Sequence, residues 1–276
     1  MYTLNCKGKL LSLEKPVVMG ILNATSDSFF KGYLGSSSNE LVTLVGQMLE
    51  QGAGIIDIGG QSTRPASTRI SSEEETNRVV PIVEILIKHF PGIIISIDTY
   101  YSSVAAAAVK AGAGIVNDIS AGNMDENMIP TVAGLQVPYI SMHMKGTPET
   151  MQQEAVYEDV VKDVLDFFIA KIEECRTAGI RDVIIDPGFG FAKTIRQNFT
   201  LLKNLHVFAM LDRPLLAGLS RKSTIYKTLG TSAEEALNGT TVLNTIALMN
   251  GANILRVHDP REAKEAVELI AAYSSS

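Results

Sequence analysis

Eight short apolar runs recur along the 276 residues: VVMGIL, GIIDIGG, IIISID, GIVND, PYISMHM, DVIID, PLLAGLS and NILRVH. Each ends at, or just before, a residue able to do chemistry: Asn23, Asp57, Asp98, Asn117, His143, Asp186, Lys222 and the Arg256–His258 stretch. The runs are apolar throughout rather than alternating, as strands of a parallel sheet covered on both faces must be. Helical patterns separate them in a βα rhythm of roughly 30 residues. Eight such units predict a (β/α)8 TIM barrel, in which the C-terminal strand ends converge on one mouth. A doubly wound sheet shares the alternation but gathers its polar residues at one switch point. Here they end nearly every strand, which favours the barrel.

The length suits one barrel domain over residues 1–276, with the barrel over about 17–273. Residues 2–13, around Lys7-Gly8-Lys9, predict a short β-hairpin that could plug the N-terminal end. Helix signals are consistent with the rhythm. Leu41, Leu44, Val45, Met48 and Leu49 form a stripe ended by Gly52, and Tyr101 to Lys110 is alanine-rich and stops at Gly112. A longer stripe, Val160, Val161, Val164, Leu165, Phe168, Ile169 and Ile172, closes at Gly179. Ser72 with Glu75, and Ser232 with Glu235, have the spacing of capping boxes, and Asp259-Pro260 opens the last helix. The polar stretch from Asn23 to Ser38, rich in glycine and serine, predicts a mobile loop at the mouth.

Charge and composition exclude several classes. The net charge of −6 argues against nonspecific binding to nucleic acid or anionic membrane. No apolar run approaches the ~18 residues of a membrane span. Cys6 and Cys175 are too few for a disulfide framework or zinc site, and the N-terminus lacks the order of a signal peptide, so a cytoplasmic enzyme is expected. Four scattered histidines give no zinc cluster, and no Ser-His-Asp or Cys-His set is evident.

The strand-end groups carry the functional expectation. A carboxylate at a buried strand end needs a partner, because a stranded charge is costly. Asp98 and Asp186 therefore either sit in ion pairs or helix caps, or accept hydrogen bonds from adjacent N–H groups of a heterocycle. Asn117 offers both donor and acceptor. The planar forks of Arg64 and Arg256, with His258, suit an anion such as a phosphate. His143 fits a satisfied strand-end histidine as well as a substrate contact, and Asp57 has no assigned role.

The segments MGILNATSDSFF, GAGIIDIGGQSTRP, SIDTY, NDISAG, MHMKGTPETMQ, DPGFGFAKT, GLSRKS and LRVHD resemble, in order, the motifs of the dihydropteroate synthase family, from about Met19 to His258. The resemblance implies condensation of 6-hydroxymethyl-7,8-dihydropterin diphosphate with p-aminobenzoate, assisted by magnesium, in a homodimer that is a sulfonamide target. It implies pterin contacts at Thr63, Asp98, Asn117, Asp186, Lys222 and Arg256. Asn23, Arg64, Arg256 and His258 would hold the diphosphate, with Asn23 also meeting the metal. Phe29, Pro65, Phe191, Lys222 and Ser223 would face the p-aminobenzoate. Asp98, Asp186, Lys222 and Arg256 would carry the chemistry.

Some positions depart from the family pattern. Ser26 stands where a proline is usual, and Lys31-Gly32-Tyr33 where Asp-Gly-Gly is usual, inverting a loop charge. Gln61 replaces glutamate, and Ala66 and Ala192 replace glycine. Two rival readings follow: a pterin-dependent methyltransferase sharing the barrel, and a non-catalytic pterin-binding paralogue.

Overall fold

A computed structural model of the chain describes residues 2–24, 38–61, 69–151 and 153–276. Strands β1 (Thr3–Cys6) and β2 (Lys9–Ser12) pair antiparallel as the expected hairpin. Lys7 and Gly8 both have positive φ, 55° and 88°, the twist that a two-residue hairpin turn requires.

The eight apolar runs become β3 (Val17–Asn23), β4 (Ala53–Gly59), β5 (Ile95–Asp98), β6 (Ile115–Asp118), β7 (Tyr139–Met142), β8 (Val183–Asp186), β9 (Leu216–Ala217) and β10 (Ile254–Val257). All pair parallel, in the spatial order β8-β7-β6-β5-β4-β3-β10-β9. A parallel bridge between Ile185 and Leu215 joins the two ends of that order, so the sheet closes on itself as a barrel.

Side chains alternate along a strand, and this sorts the barrel interior into layers. Met19, Ile55, Ile115, Ile140, Ile184, Leu216 and Ile254 form a buried floor, one from each of seven strands. Leu4, Cys6 and Leu13 pack into it from below, so the hairpin does plug the N-terminal end. The Asn5 amide ties the hairpin down by donating to Asp182 Oδ2 at 2.8 Å. Two residues further along the same strands lie Asp57, Asn117, Asp186, Gly218 and Arg256. On four of the seven strands the inward face thus changes from apolar to polar in one step, while Ile21 and Met142 continue β3 and β7 as apolar residues.

Between the strands run α1 (Ser38–Glu50), α2 (Ser72–His89), α3 (Ser102–Ala111), α4 (Met128–Leu135), α5 (Val160–Ala178), α6 (Ile195–Lys203), α7 (Ser223–Leu229), α8 (Leu237–Met249) and α9 (Pro260–Ser274). Their apolar faces bury two clusters against the outside of the barrel, one around Ile56, Ile58 and Ile97, the other around Phe168, Phe208 and Leu255. Among the described residues no helix is long and apolar enough to cross a membrane.

Three helix expectations need correcting. Ser71, not Ser72, caps α2, accepting from the Glu74 amide at 3.1 Å, while Glu75 turns inward with Val79 and Ile82. Ser232 and Glu235 meet through one hydrogen bond of 3.2 Å, but in a turn, since α8 starts only at Leu237. Ile169 is 53% exposed and leaves the α5 stripe, which buries Val160, Val164, Phe168, Lys171 and Cys175 instead. The reciprocal capping box lies at Thr194 and Gln197, opening α6. Asp259 precedes Pro260 at the start of α9 as expected.

Candidate active site

Arg256 on β10 crosses the barrel mouth. Its Nε donates to Asp57 Oδ2 on β4 at 2.6 Å and its Nη2 to Asp98 Oδ2 on β5 at 2.5 Å. Asp57 also accepts from Asn117 Nδ2 on β6 at 3.1 Å, while its Oδ1 is buried with no partner among the described residues. Four strand ends far apart in sequence therefore form one hydrogen-bonded group. Asp57, without an assigned role from sequence, is its hub.

The charges in this group oppose their own burial. Desolvation drives the Asp98 carboxyl up to about 7; Arg256 pulls it down, while Asp57, Asp118 and Asp186 push it further up. Burial also works against the Arg256 cation, yet Asp57 and Asp98 hold it above its ordinary value, so it stays charged. A guanidinium bridging two carboxylates is fixed in orientation by its fork geometry.

Asp186 and Lys222 complete the mouth. Desolvation raises the Asp186 carboxyl; Lys222, the Gly188 amide donating to it at 2.8 Å, and Arg256 lower it. Burial lowers Lys222 to about 8, offset by Asp186. The Lys222 ammonium donates to the Phe189 carbonyl and lies 4.8 Å from the centre of the Phe191 ring. Gly218 lies among these groups: a Cβ there would sit 3.7 Å from Lys222 Nζ and 4.0 Å from both Asp186 Oδ2 and Arg256 Cβ. The missing side chain leaves room where a flat ring could meet a carboxylate, an ammonium and a guanidinium.

The other predicted residues are placed as follows. Asn23 ends β3, exposed and in register with Gly59 of β4. His258 is exposed just beyond β10, its Nδ1 3.0 Å from Ser220 Oγ. Ser223 begins α7 directly after Lys222. His143 is buried and faces Lys193, 2.9 Å from Nδ1 to Nζ. Phe29, Lys31, Thr63, Arg64 and Pro65 lie outside the described residues. Among the described residues, no group of three or more His, Cys, Asp or Glu side chains could hold a metal.

Sequence reasoning passed over several supporting groups. Arg221 grips the Asp259 carboxylate with two bonds, 2.9 and 2.8 Å, and donates to the carbonyls of Ala233 and Glu234. It thereby ties the loop holding Lys222 to the start of α9. Gln61 sits at the end of the second apolar run. It donates to Glu75 Oε2 at 3.1 Å and accepts from the Tyr100 hydroxyl at 2.8 Å, and Thr99 also donates to Glu75. Burial, then repulsion from Asp98, raises the Glu75 carboxyl to about 8. Its place four residues before Val79, on the apolar stripe of α2, was the available signal.

Comparisons with known proteins agree with this geometry. A family model described as pterin binding enzyme matches residues 19–258. The dihydropteroate synthase of Escherichia coli (strain K12) is 41% identical over 272 residues, 98% of this chain and 96% of that protein. A crystal structure of the Yersinia pestis dihydropteroate synthase with a sulfonamide drug complex superposes with a TM-score of 0.93 at 38% identity, covering 100% of both chains. The Xanthomonas albilineans dihydropteroate synthase in complex with 7,8-dihydropteroate superposes with a TM-score of 0.87 at 34% identity, covering 99% of each.

Proposed function

The chain belongs to the pterin-binding enzyme family, and on that premise we infer that it catalyses the dihydropteroate synthase reaction. It is a transferase of folate synthesis, joining 6-hydroxymethyl-7,8-dihydropterin diphosphate to p-aminobenzoate and releasing 7,8-dihydropteroate and diphosphate. The single observation that carries the residue assignment is the Asp57–Arg256–Asp98 bridge, with Asn117 beside it and Asp186 and Lys222 across the space at Gly218.

The pterin has adjacent N–H donors on one edge, which suit Asp98 and Asp186, and a mixed edge, which suits Asn117. Lys222 offers a point charge to the ring carbonyl, and Thr63 adds a further contact. Arg256 has two of its nitrogens committed to carboxylates. Its remaining N–H groups serve the ring and, with Arg64 and His258, the diphosphate. Phe191, Lys222 and Ser223 serve the p-aminobenzoate, and the family resemblance assigns Phe29 and Pro65 to it as well.

The leaving group is carried on a CH2 attached to an electron-rich ring. The C–O bond can therefore break first, its electron pair leaving with the diphosphate and the positive charge spreading into the pterin. Buried carboxylates fixed in advance offset that charge without reorganising. The amine of p-aminobenzoate then forms the C–N bond and gives up a proton, with no covalent enzyme intermediate.

Asn23 offers one neutral oxygen at the mouth, without an acidic cluster around it among the described residues. That fits a magnesium ion, which keeps several waters and takes its other oxygens from substrate phosphates. When bound, the ion adds positive charge at the diphosphate. The two buried, free cysteines suit a reducing cytoplasm. Leu229, Val242 and Met249, exposed on the neighbouring helices α7 and α8, support a homodimer. The sulfonamide complex of the Yersinia pestis relative supports reading this chain as a sulfonamide target.

The test is to mix both substrates with magnesium and measure dihydropteroate and diphosphate. Equal amounts of the two, falling when magnesium is chelated, are expected. Pterin binding without diphosphate release would indicate a non-catalytic paralogue. Methyl transfer from a reduced methylfolate would indicate the methyltransferase. Replacing Lys31 with aspartate in the same assay reports whether its inverted charge slows the reaction.

A further inference from the structure

Lys193 is a cation buried to 3% exposure, and neither the pterin pocket nor the diphosphate site uses it. Its ammonium has three N–H donors, and three acceptors surround it: His143 Nδ1 at 2.9 Å, the Phe191 carbonyl at 3.0 Å and the Gly188 carbonyl at 3.1 Å. The His143 carbonyl lies a little further off, at 3.4 Å. These acceptors come from two segments, one following β7 and one following β8. The two segments approach so closely that a Cβ on Gly188 would lie 2.0 Å from the His143 carbonyl oxygen.

The segment after β8 has little regular hydrogen bonding of its own. Gly188, Gly190 and Ala192 all take positive φ, 69°, 81° and 48°, which for alanine costs on the order of 1–2 kcal/mol. Such a path turns carbonyls inward, where an unpaired one is expensive. The Gly188 carbonyl accepts from the Phe191 amide at 3.1 Å, and Lys193 adds a second donor to it and pairs the Phe191 carbonyl. From the mouth, Lys222 pairs the intervening Phe189 carbonyl and stacks on the Phe191 ring. Two lysines thus hold one short segment, through three of its carbonyls.

We propose that Lys193 is a positioning residue of the synthase: its buried ammonium tripod sets the Phe191 ring, and through it the p-aminobenzoate subsite. The tripod needs the charged form, because a neutral amine has two N–H groups and would aim a lone pair at the third acceptor. Burial, then the neighbouring Lys193 charge, lowers His143 to about 2, so its imidazole is neutral and Nδ1 accepts. Desolvation lowers Lys193 to about 7, and Asp186 acts against that fall, so the full tripod is present below that value and is lost as pH rises through it.

The proposal rests on the synthase reading, so turnover of the parent enzyme is measured first; failure there sinks that reading alone. In an active parent, Lys193→Met should raise KM for p-aminobenzoate roughly tenfold and leave KM for the pterin diphosphate within about twofold. A merely structural lysine would lower the melting temperature and the active fraction while leaving both KM values at parent levels. That result, or an equal rise in both, overturns the proposal. Because Lys193 acts through Phe191, Phe191→Leu combined with Lys193→Met should raise the p-aminobenzoate KM no further than either change alone. Multiplicative effects would overturn it. Where Lys193→Met does not fold, His143→Leu removes one leg of the tripod and should raise the same KM about threefold. An unchanged value overturns the proposal there too.

Discussion

Arg256 shows how one side chain can be both structural and chemical. A buried ion pair is a weak source of stability, since desolvation offsets most of the attraction, but removing one partner strands the other. Here one guanidinium satisfies two carboxylates, at 2.6 and 2.5 Å, and holds a fixed orientation toward the open centre. Arg256→Ala and Asp186→Ala should each lower turnover by at least about 10²-fold, the scale of losing one oriented electrostatic group. Steady-state rates near the parent's in both variants would refute the assignment. Arg256→Lys should recover little activity, because a point charge cannot bridge Asp57 and Asp98 together.

At the scale of elements, the hairpin and the start of α2 support the mouth without touching it. Leu4 is 2% exposed in the barrel floor, so Leu4→Ala should cost about 2–5 kcal/mol of stability. Denaturant titration measures that loss, and KM for both substrates should not change, because the apolar floor residues lie between Leu4 and the strand-end groups. Glu75 predicts a pH effect. Burial raises its carboxyl from 4.5 to about 8, so between those values the folded chain holds a proton that the unfolded chain has released. Stability contributed by this group therefore falls as pH rises through that window, by at most about 1.4 kcal/mol per pH unit. Glu75→Gln should remove this component, matching the parent near pH 5 and exceeding its melting temperature near pH 8. Parallel melting curves across that range would argue against it. Sequence spacing placed Glu75 in a capping box because Ser-x-x-Glu is the same string whether the serine is the cap or the first helical residue. Only backbone dihedrals separate the two, and they assign the cap to Ser71. Thr194 and Gln197 carried an equally plain signal, and there the reciprocal bonds form.

At the scale of the whole molecule, the barrel gathers Asp57, Asp98, Asp186, Lys222 and Arg256 from five strands or the loops that follow them. Three carboxylates face two cations there, and the protonation of Asp98 and Lys222 should govern the pH profile of kcat/KM. Desolvation and the neighbouring carboxylates place Asp98 near 7, so its ionised form is lost as pH falls through that value. Burial places Lys222 near 8, so its charge is lost as pH rises through that value. A bell between about pH 6 and 9 is expected, with the acid limb abolished by Asp98→Asn. A flat profile over that range would contradict it.

The closed barrel and the strand-end positions of Asp98, Asn117, Asp186 and Arg256 were legible in the chain itself. Eight apolar runs in order, each with a polar terminus, carry both, because side-chain alternation is local. Ile55 and Asp57, Ile184 and Asp186, Ile254 and Arg256 are each two residues apart, so whichever way the first points, the second follows. Tertiary structure alone decided the partnerships: Asp57 as the hub, Arg256 between two carboxylates, Lys193 bonded to the segment after β8, and Glu75 turned inward. Those outcomes depend on distances between residues as far apart as Asp57 and Arg256, and on how completely water is excluded around them. Neither quantity exists in a sequence until the barrel closes.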